Sequence, residues 1–154
     1  MTLISHNPKT PWQPHVTVAT IVERSNKFLL VEEMAEGRMV LNQPAGHLDE
    51  NESLLQAAVR ETLEETAWTV ALKGVVGVSL SYSAHHQITY HRTTFYAEAL
   101  SHDPEQALDQ GIARALWLSY DEMLAAAQDM RSSLVISSVE QYRAGHRYPL
   151  ELVF

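Results

Sequence analysis

From Val16 to Val22 the chain alternates and is β-branched, Ser25-Asn26-Lys27 is a turn signal, and Phe28 to Glu33 is an apolar run. Together they predict a β-hairpin. Glu36-Gly37 marks another turn before the short run Met39 to Leu41, and from Asn42 to Asn51 no hydrophobic period survives, so a loop is expected there. Ser53 followed three residues on by Gln56 forms a capping box, which makes the periodic stretch Leu54 to Thr66 a helix with a defined start. Trp68 to Tyr82 and Thr89 to Leu100, rich in Val, Thr, Tyr and Phe, predict two long strands around the polar Ser83 to Gln87, the first able to bend at Gly74 or Gly77. His102 to Gly111 reads as an acidic loop and Ala115 to Leu118 as a short strand, and a second capping box, Ser119 to Glu122, opens a helix reaching about Gln128. A last helix is expected from Ser132 to Ala144, with Leu134, Val135, Val139 and Tyr142 on one face and Gly145 as its stop.

Strands and helices interleave with no repeat, linker or low-complexity tract, which predicts a single α/β (α+β) domain over residues 1–154. Hydrophobic residues make up 45% of the chain and there is no cysteine. Disulfides, thiolate chemistry and sulfur-bound zinc are thereby excluded, so any metal must be held by oxygen or imidazole. Met1 to Pro14 lacks a basic start followed by a long apolar core, and nowhere do 18 apolar residues run together. Secretion and membrane contact are not expected, and the cytoplasm is the expected location.

Eleven basic against 19 acidic side chains give a net charge of −8, a field that repels long polyanions and argues against nucleic acid polymers as partners. A small phosphorylated ligand is compatible, because a bound cation and a few arginines can reverse the field inside one cleft. The sequence leaves the oligomeric state open, a monomer included.

On the predicted helix, with Ala57 taken as the origin, Glu64, Glu61 and Glu65 fall at about −20°, 40° and 80°, with Arg60 at the border. Leu55, Val59 and Leu63 fall on the opposite side, together with Thr62 and Thr66. The helix is therefore expected to bury that stripe and to aim three acids outward. Two like charges about 5 Å apart repel by roughly 3 kcal/mol at an effective dielectric near 20. A divalent cation relieves that repulsion, and oxygen-only ligands select hard ions such as Mg²⁺ or Mn²⁺. Glutamate-rich helices are usually solvated faces, and these three acids alone would be read that way.

The wider spacing changes that reading. Gly46, five residues, Glu52, seven residues, then Arg60-Glu61-Thr62-Leu63-Glu64-Glu65 resembles the Nudix box, G-x5-E-x7-R-E-U-x-E-E-x-G-U with U aliphatic. All six glycine and charged identities of the box through Glu65 are present. Thr62 departs from the aliphatic position and Ala67 from the glycine after the helix. If Ala67 is left-handed the cost is about 1 to 2 kcal/mol, so either the helix ends differently or that turn is strained.

The resemblance implies a Nudix-type α/β/α sandwich with a mixed β-sheet, and a hydrolase acting on a phosphoanhydride. It implies that Glu61, Glu64 and Glu65, with the backbone carbonyl of Ala45, bind Mg²⁺ or Mn²⁺. Glu52 and Arg60 would form an ion pair that orients these acids, and Glu61 or Glu64 would hold or deprotonate the attacking water. A loop acid, Glu105 or Asp109, is an alternative base. Gln43 to Leu48 and the tail, with Arg131 to Val135, Tyr142, Gly145 and Arg147 to Leu150, resemble the NudJ-type subgroup of the family. That subgroup hydrolyses nucleoside tri- and diphosphates and thiamine-pathway pyrophosphates, which makes such a molecule the implied substrate. The competing class is a Nudix-fold module that holds a nucleotide without cleaving it.

Outside the box, Arg131 and Arg147 could reach phosphates, although basic residues near a helix end more often complement its dipole. His85 and His86 sit in an expected loop and either touch the substrate or face water. With His91 they show no HExxH or comparable zinc spacing. Asp49, Asn51 and Ser53 begin like a calcium loop, but Leu54 replaces the required glycine and Arg60 the final acid. Trp12, Trp68, Trp117, Tyr82, Tyr90 and Tyr96 are candidates for stacking on a base, with most expected to pack in the core.

Overall fold

The structure is a computed structural model that describes residues 11–154. Of the lead-in Met1 to Pro14, residues 1–10 lie outside the described residues. The chain runs β1 (His15–Arg24), β2 (Lys27–Ala35), β3 (Arg38–Asn42), β4 (Ala45–His47), α1 (Leu54–Thr66), β5 (Trp68–Ser83), β6 (Ile88–His102), β7 (Ile112–Ser119), α2 (Tyr120–Ala125) and α3 (Ser133–Arg143). Strand order in the sheet is β3-β2-β1-β6-β5, with β4 added to β1 and β7 to β2. The β1–β6 pairing is parallel and the others are antiparallel, so the sheet is mixed.

Residues 17–22 of β1 are buried in succession, which requires cover on both faces of the sheet. Alternation along the strands sorts their side chains. Val18, Val75 and Phe95 pack with Ala57 and Ala58 of α1. Ile21, Phe28, Leu30 and Val76 pack with Met123 of α2 and with Val135 and Val139 of α3 on the other side. Two helical layers around a mixed sheet are the expected sandwich. Fully buried side chains such as Phe95, Ile21 and Leu30 each contribute about 1.5 to 3 kcal/mol through burial.

β1 and β2 pair only next to their turn, Glu23 with Phe28 and Arg24 with Lys27. Farther along, the edge of β1 is taken instead by β4, where Thr17, Val18 and Ala19 face His47, Gly46 and Ala45. The expected loop Asn42–Asn51 thus contains a strand, too short for any hydrophobic period to announce. β7 is longer than the expected Ala115–Leu118, and α2 ends at Ala125 before a 3-10 turn at Ala127–Asp129. The register of β5 slips between Leu72 and Gly74 and again between Val75 and Gly77, where a bend was expected.

Candidate active site

α1 starts as its sequence requires. Ser53 is extended (ψ 157°), its hydroxyl accepts from the Gln56 N–H, and the Gln56 side chain accepts from the Ser53 N–H. Its buried face is the expected one only in part. Thr62 and Thr66 are buried as expected, but Leu55, Val59 and Leu63 are only half-buried, whereas Ala57, Ala58, Glu61 and Glu65 are buried. Two of the three acids therefore point inward. The two alanines let the helix approach β1 closely, and the buried hydroxyls of Thr62 and Thr66 donate to Ala58 O and Thr62 O one turn back.

Arg60 ties the loop to the helix. Its Nε and Nη2 donate to the two oxygens of Glu52 at 2.7 and 2.8 Å, and Nη2 also reaches His47 O at 3.0 Å. The Arg60 hydrogen bond holds the Glu52 carboxyl below its usual range, while Glu52 raises the pKa of Arg60. Nη1 of Arg60 donates to Glu61 at 2.8 Å and to Glu64 at 3.1 Å, so one guanidinium orients three carboxylates.

Glu61 is 9% exposed and lies against the backbone of β4. A Cβ at Gly46 would overlap its carboxylate, which is why that position lacks a side chain. Burial pushes the Glu61 carboxyl up despite the opposing pull of Arg60. Glu65 is 7% exposed and accepts the Ala45 N–H at 2.9 Å; burial pushes its carboxyl up to about 8.

A fourth acid arrives from the β6–β7 loop, which hydrogen-bonds to carbonyls at the end of α1. Gln106 Nε2 donates to Leu63 O, the Asp109 N–H to Glu64 O and the Asp103 N–H to Ala67 O. Carboxylate oxygens of Glu61, Glu64 and Asp109 consequently all lie within 4.8 Å of one another. They gather near the negative end of α1, whose last turn contains no basic residue. Clustered, partly buried, oxygen-only donors with this much repulsion fit a hard divalent cation.

Glu61 and Glu65 line a cleft of about 590 Å³, with Glu33, Arg92, Arg131, Tyr82, Tyr90 and His86. Arg131 donates to Glu33 at 2.6 Å, and Arg92 to Gln43 at 2.6 Å. Neither Arg92 nor Glu33 stands out in the sequence, since each reads as one polar residue within a strand. His85 and His86 meet edge to face, centroids 4.7 Å apart, and with Glu36 form an exposed second group of donors within 4.8 Å. Arg147 does not join the cleft. Its guanidinium lies 4.2 Å from the Tyr142 ring centroid and 5.7 Å from that of Tyr96, where it serves packing. Trp68 and Trp117 pack on each other, and Trp12 is exposed. A larger groove of about 730 Å³ runs along the outer side of α1 past Leu55, Val59 and Leu72, and none of Glu61, Glu64 or Glu65 lines it.

Residues 13–136 match the family model described as the NUDIX domain. Phosphatase NudJ of Escherichia coli K12 is 39% identical over 142 residues, covering 92% of each chain. A NUDIX hydrolase from Nitrosomonas europaea superposes with a TM-score of 0.90 at 44% identity, covering 92% of this chain and 97% of that one. The NUDIX domain of Shewanella oneidensis NrtR, a cocrystal structure with ADP ribose, shares the fold at 20% identity, with a TM-score of 0.72 over 92% of this chain and 94% of that one. A family match over most of the chain, together with relatives this similar along nearly its whole length, shows that the protein belongs to the Nudix hydrolase family.

Proposed function

We propose that this protein is a single-domain hydrolase that cleaves a phosphoanhydride in a small phosphorylated substrate, with Mg²⁺ or Mn²⁺ as its cofactor. A nucleoside tri- or diphosphate, or a thiamine-pathway pyrophosphate, is the substrate class that the likeness to phosphatase NudJ favours. The observation that carries this reading is the convergence of Glu61, Glu64 and Asp109 in a Nudix chain, with Glu61 at the wall of the cleft.

Glu61 and Glu64, joined by Asp109, are the residues that would hold the cation, with Glu65 and the Ala45 backbone alongside. When bound, the cation supplies charge neutralisation at the phosphate oxygens and polarisation of water. The protein's own groups do the rest. Arg60, locked by Glu52, fixes the orientation of Glu61 and Glu64. A carboxylate oxygen of Glu64 or Glu61 takes the proton from the attacking water, and Asp109 is close enough to share that role, whereas Glu105 is not among the clustered acids. Displacement in line at one phosphorus then depends mainly on positioning, which an ion-paired helix provides.

The test is a phosphoanhydride panel with Mg²⁺ in ¹⁸O-labelled water. Label is expected in a phosphate product, and Glu64→Gln is expected to lose about 10²-fold or more in kcat. Nucleotide binding without turnover would identify a binding module instead, and undiminished turnover by Glu64→Gln would remove the acid cluster from the mechanism.

A further inference from the structure

One cationic group in the cleft has no anionic partner. Arg92 lies in the middle of β6, between Thr17 of β1 and Ser79 of β5, and is 8% exposed. Its Nη2 donates to Gln43, while its Nε is buried with no hydrogen-bond partner. Among the described residues no carboxylate comes within ion-pair distance of it. Burial lowers its pKa to about 10, which still leaves it charged at neutral pH. A buried, uncompensated guanidinium is costly to the fold, so its presence calls for something that offsets it.

The surroundings are organised to keep this charge in place. Gln43 is buried, and its amide nitrogen donates to Val135 O at 2.8 Å, which leaves the amide oxygen fixed toward Arg92. Arg131 faces the same space, anchored through its own N–H to Leu41 O at 2.8 Å. Its charge is matched by Glu33, which is itself held by Asn42 at 3.1 Å. The pairing therefore satisfies Arg131 and leaves Arg92 over. Both guanidinia line the cleft that Glu61 and Glu65 line, so one cavity joins an acidic wall to a basic one.

We propose that Arg92, with Arg131 beside it, is an anion site that takes a terminal phosphate of the substrate, next to the phosphate attacked at the acid cluster. This rests on the hydrolase reading above and sharpens it. Two forked guanidinium groups suit a dianionic, unesterified phosphate better than a bridging one. The enzyme then prefers phosphate chains with a free end over anhydrides capped at both ends by sugar or nucleoside.

The experiment is titration calorimetry of inorganic pyrophosphate into the protein with EDTA present, followed by kinetics with Mg²⁺. Wild type is expected to bind pyrophosphate without any divalent cation. Arg92→Lys, which keeps the charge but loses the fork, and Arg131→Gln, at a half-exposed position, are each expected to weaken that binding by about ten- to a hundredfold. In turnover, KM for a substrate with a free terminal phosphate rises by a similar factor with kcat little changed, and KM for a doubly capped substrate moves far less. Absence of cation-free binding by wild type, or unchanged binding by either folded variant, overturns the anion site while leaving hydrolysis intact. Binding that the variants lose, in a protein that hydrolyses no phosphoanhydride, keeps the site and rejects the hydrolase reading.

Discussion

A methyl group at position 46 would occupy the space of the Glu61 carboxylate. The obstruction is the end of a flexible side chain, so Gly46→Ala is expected to fold and to displace Glu61. Activity should fall by about 10²-fold, while Tm should stay within about 4 °C of wild type. Full activity in that variant would show that Glu61 does not need its place beside β4. The sequence motif singled out Gly46, but the reason for the glycine is a tertiary contact between β4 and α1 that spacing cannot display. The two departures from the motif also acquire causes. Thr62 is tolerated because its hydroxyl donates to Ala58 O at 2.7 Å within its own helix. Ala67 adopts φ 59°, ψ 15° and donates to Leu63 O, so the turn is the strained alternative, at about 1 to 2 kcal/mol. Arg92 was illegible for the opposite reason. A lone arginine in a strand has no periodicity to betray it, and only its burial and missing partner show its weight.

The existence, start and end of α1 were legible because caps are local chemistry between neighbours in sequence. Its orientation was not. Hydrophobicity favoured the Leu55, Val59 and Leu63 stripe, yet proximity to β1 favoured the side with the small Ala57 and Ala58, and that side carries Glu61 and Glu65 inward. β4 escaped detection likewise, since its pairing with β1 is a tertiary event. Inward rotation has a thermodynamic consequence. The folded pKa of Glu65 is raised from 4.5 to about 8, so the folded chain binds more protons than the unfolded chain between those values. The associated stability is fully present below about 4.5 and is lost as pH rises through about 8. Urea denaturation of cation-free protein should show stability falling across that window by an amount on the order of a few kcal/mol. Glu65→Gln should flatten the fall, and an identical slope in the variant would mean that Glu65 ionises freely in the fold.

The molecule carries a net charge of −8, and at least four of its acids crowd one end of one helix, so self-repulsion is concentrated in the place proposed to bind a cation. No helix among the described residues is long and apolar enough to cross a membrane. Binding a cation there and not in the unfolded chain must stabilise the fold by mass action, about 2.7 kcal/mol at a hundredfold excess over Kd. For a chain of this length that corresponds to a Tm increase of roughly 5 to 10 °C with Mn²⁺ or Mg²⁺ over EDTA. Sodium at matched ionic strength screens the same repulsion without site binding and should give a much smaller increase. Glu64→Gln removes one proposed ligand at a partly exposed position, so the variant should remain folded and lose most of the divalent-specific increment. An increment of equal size in wild type and variant, or one that sodium reproduces, would show that the divalent ions act on the surface at large and not at the Glu61, Glu64 and Asp109 cluster.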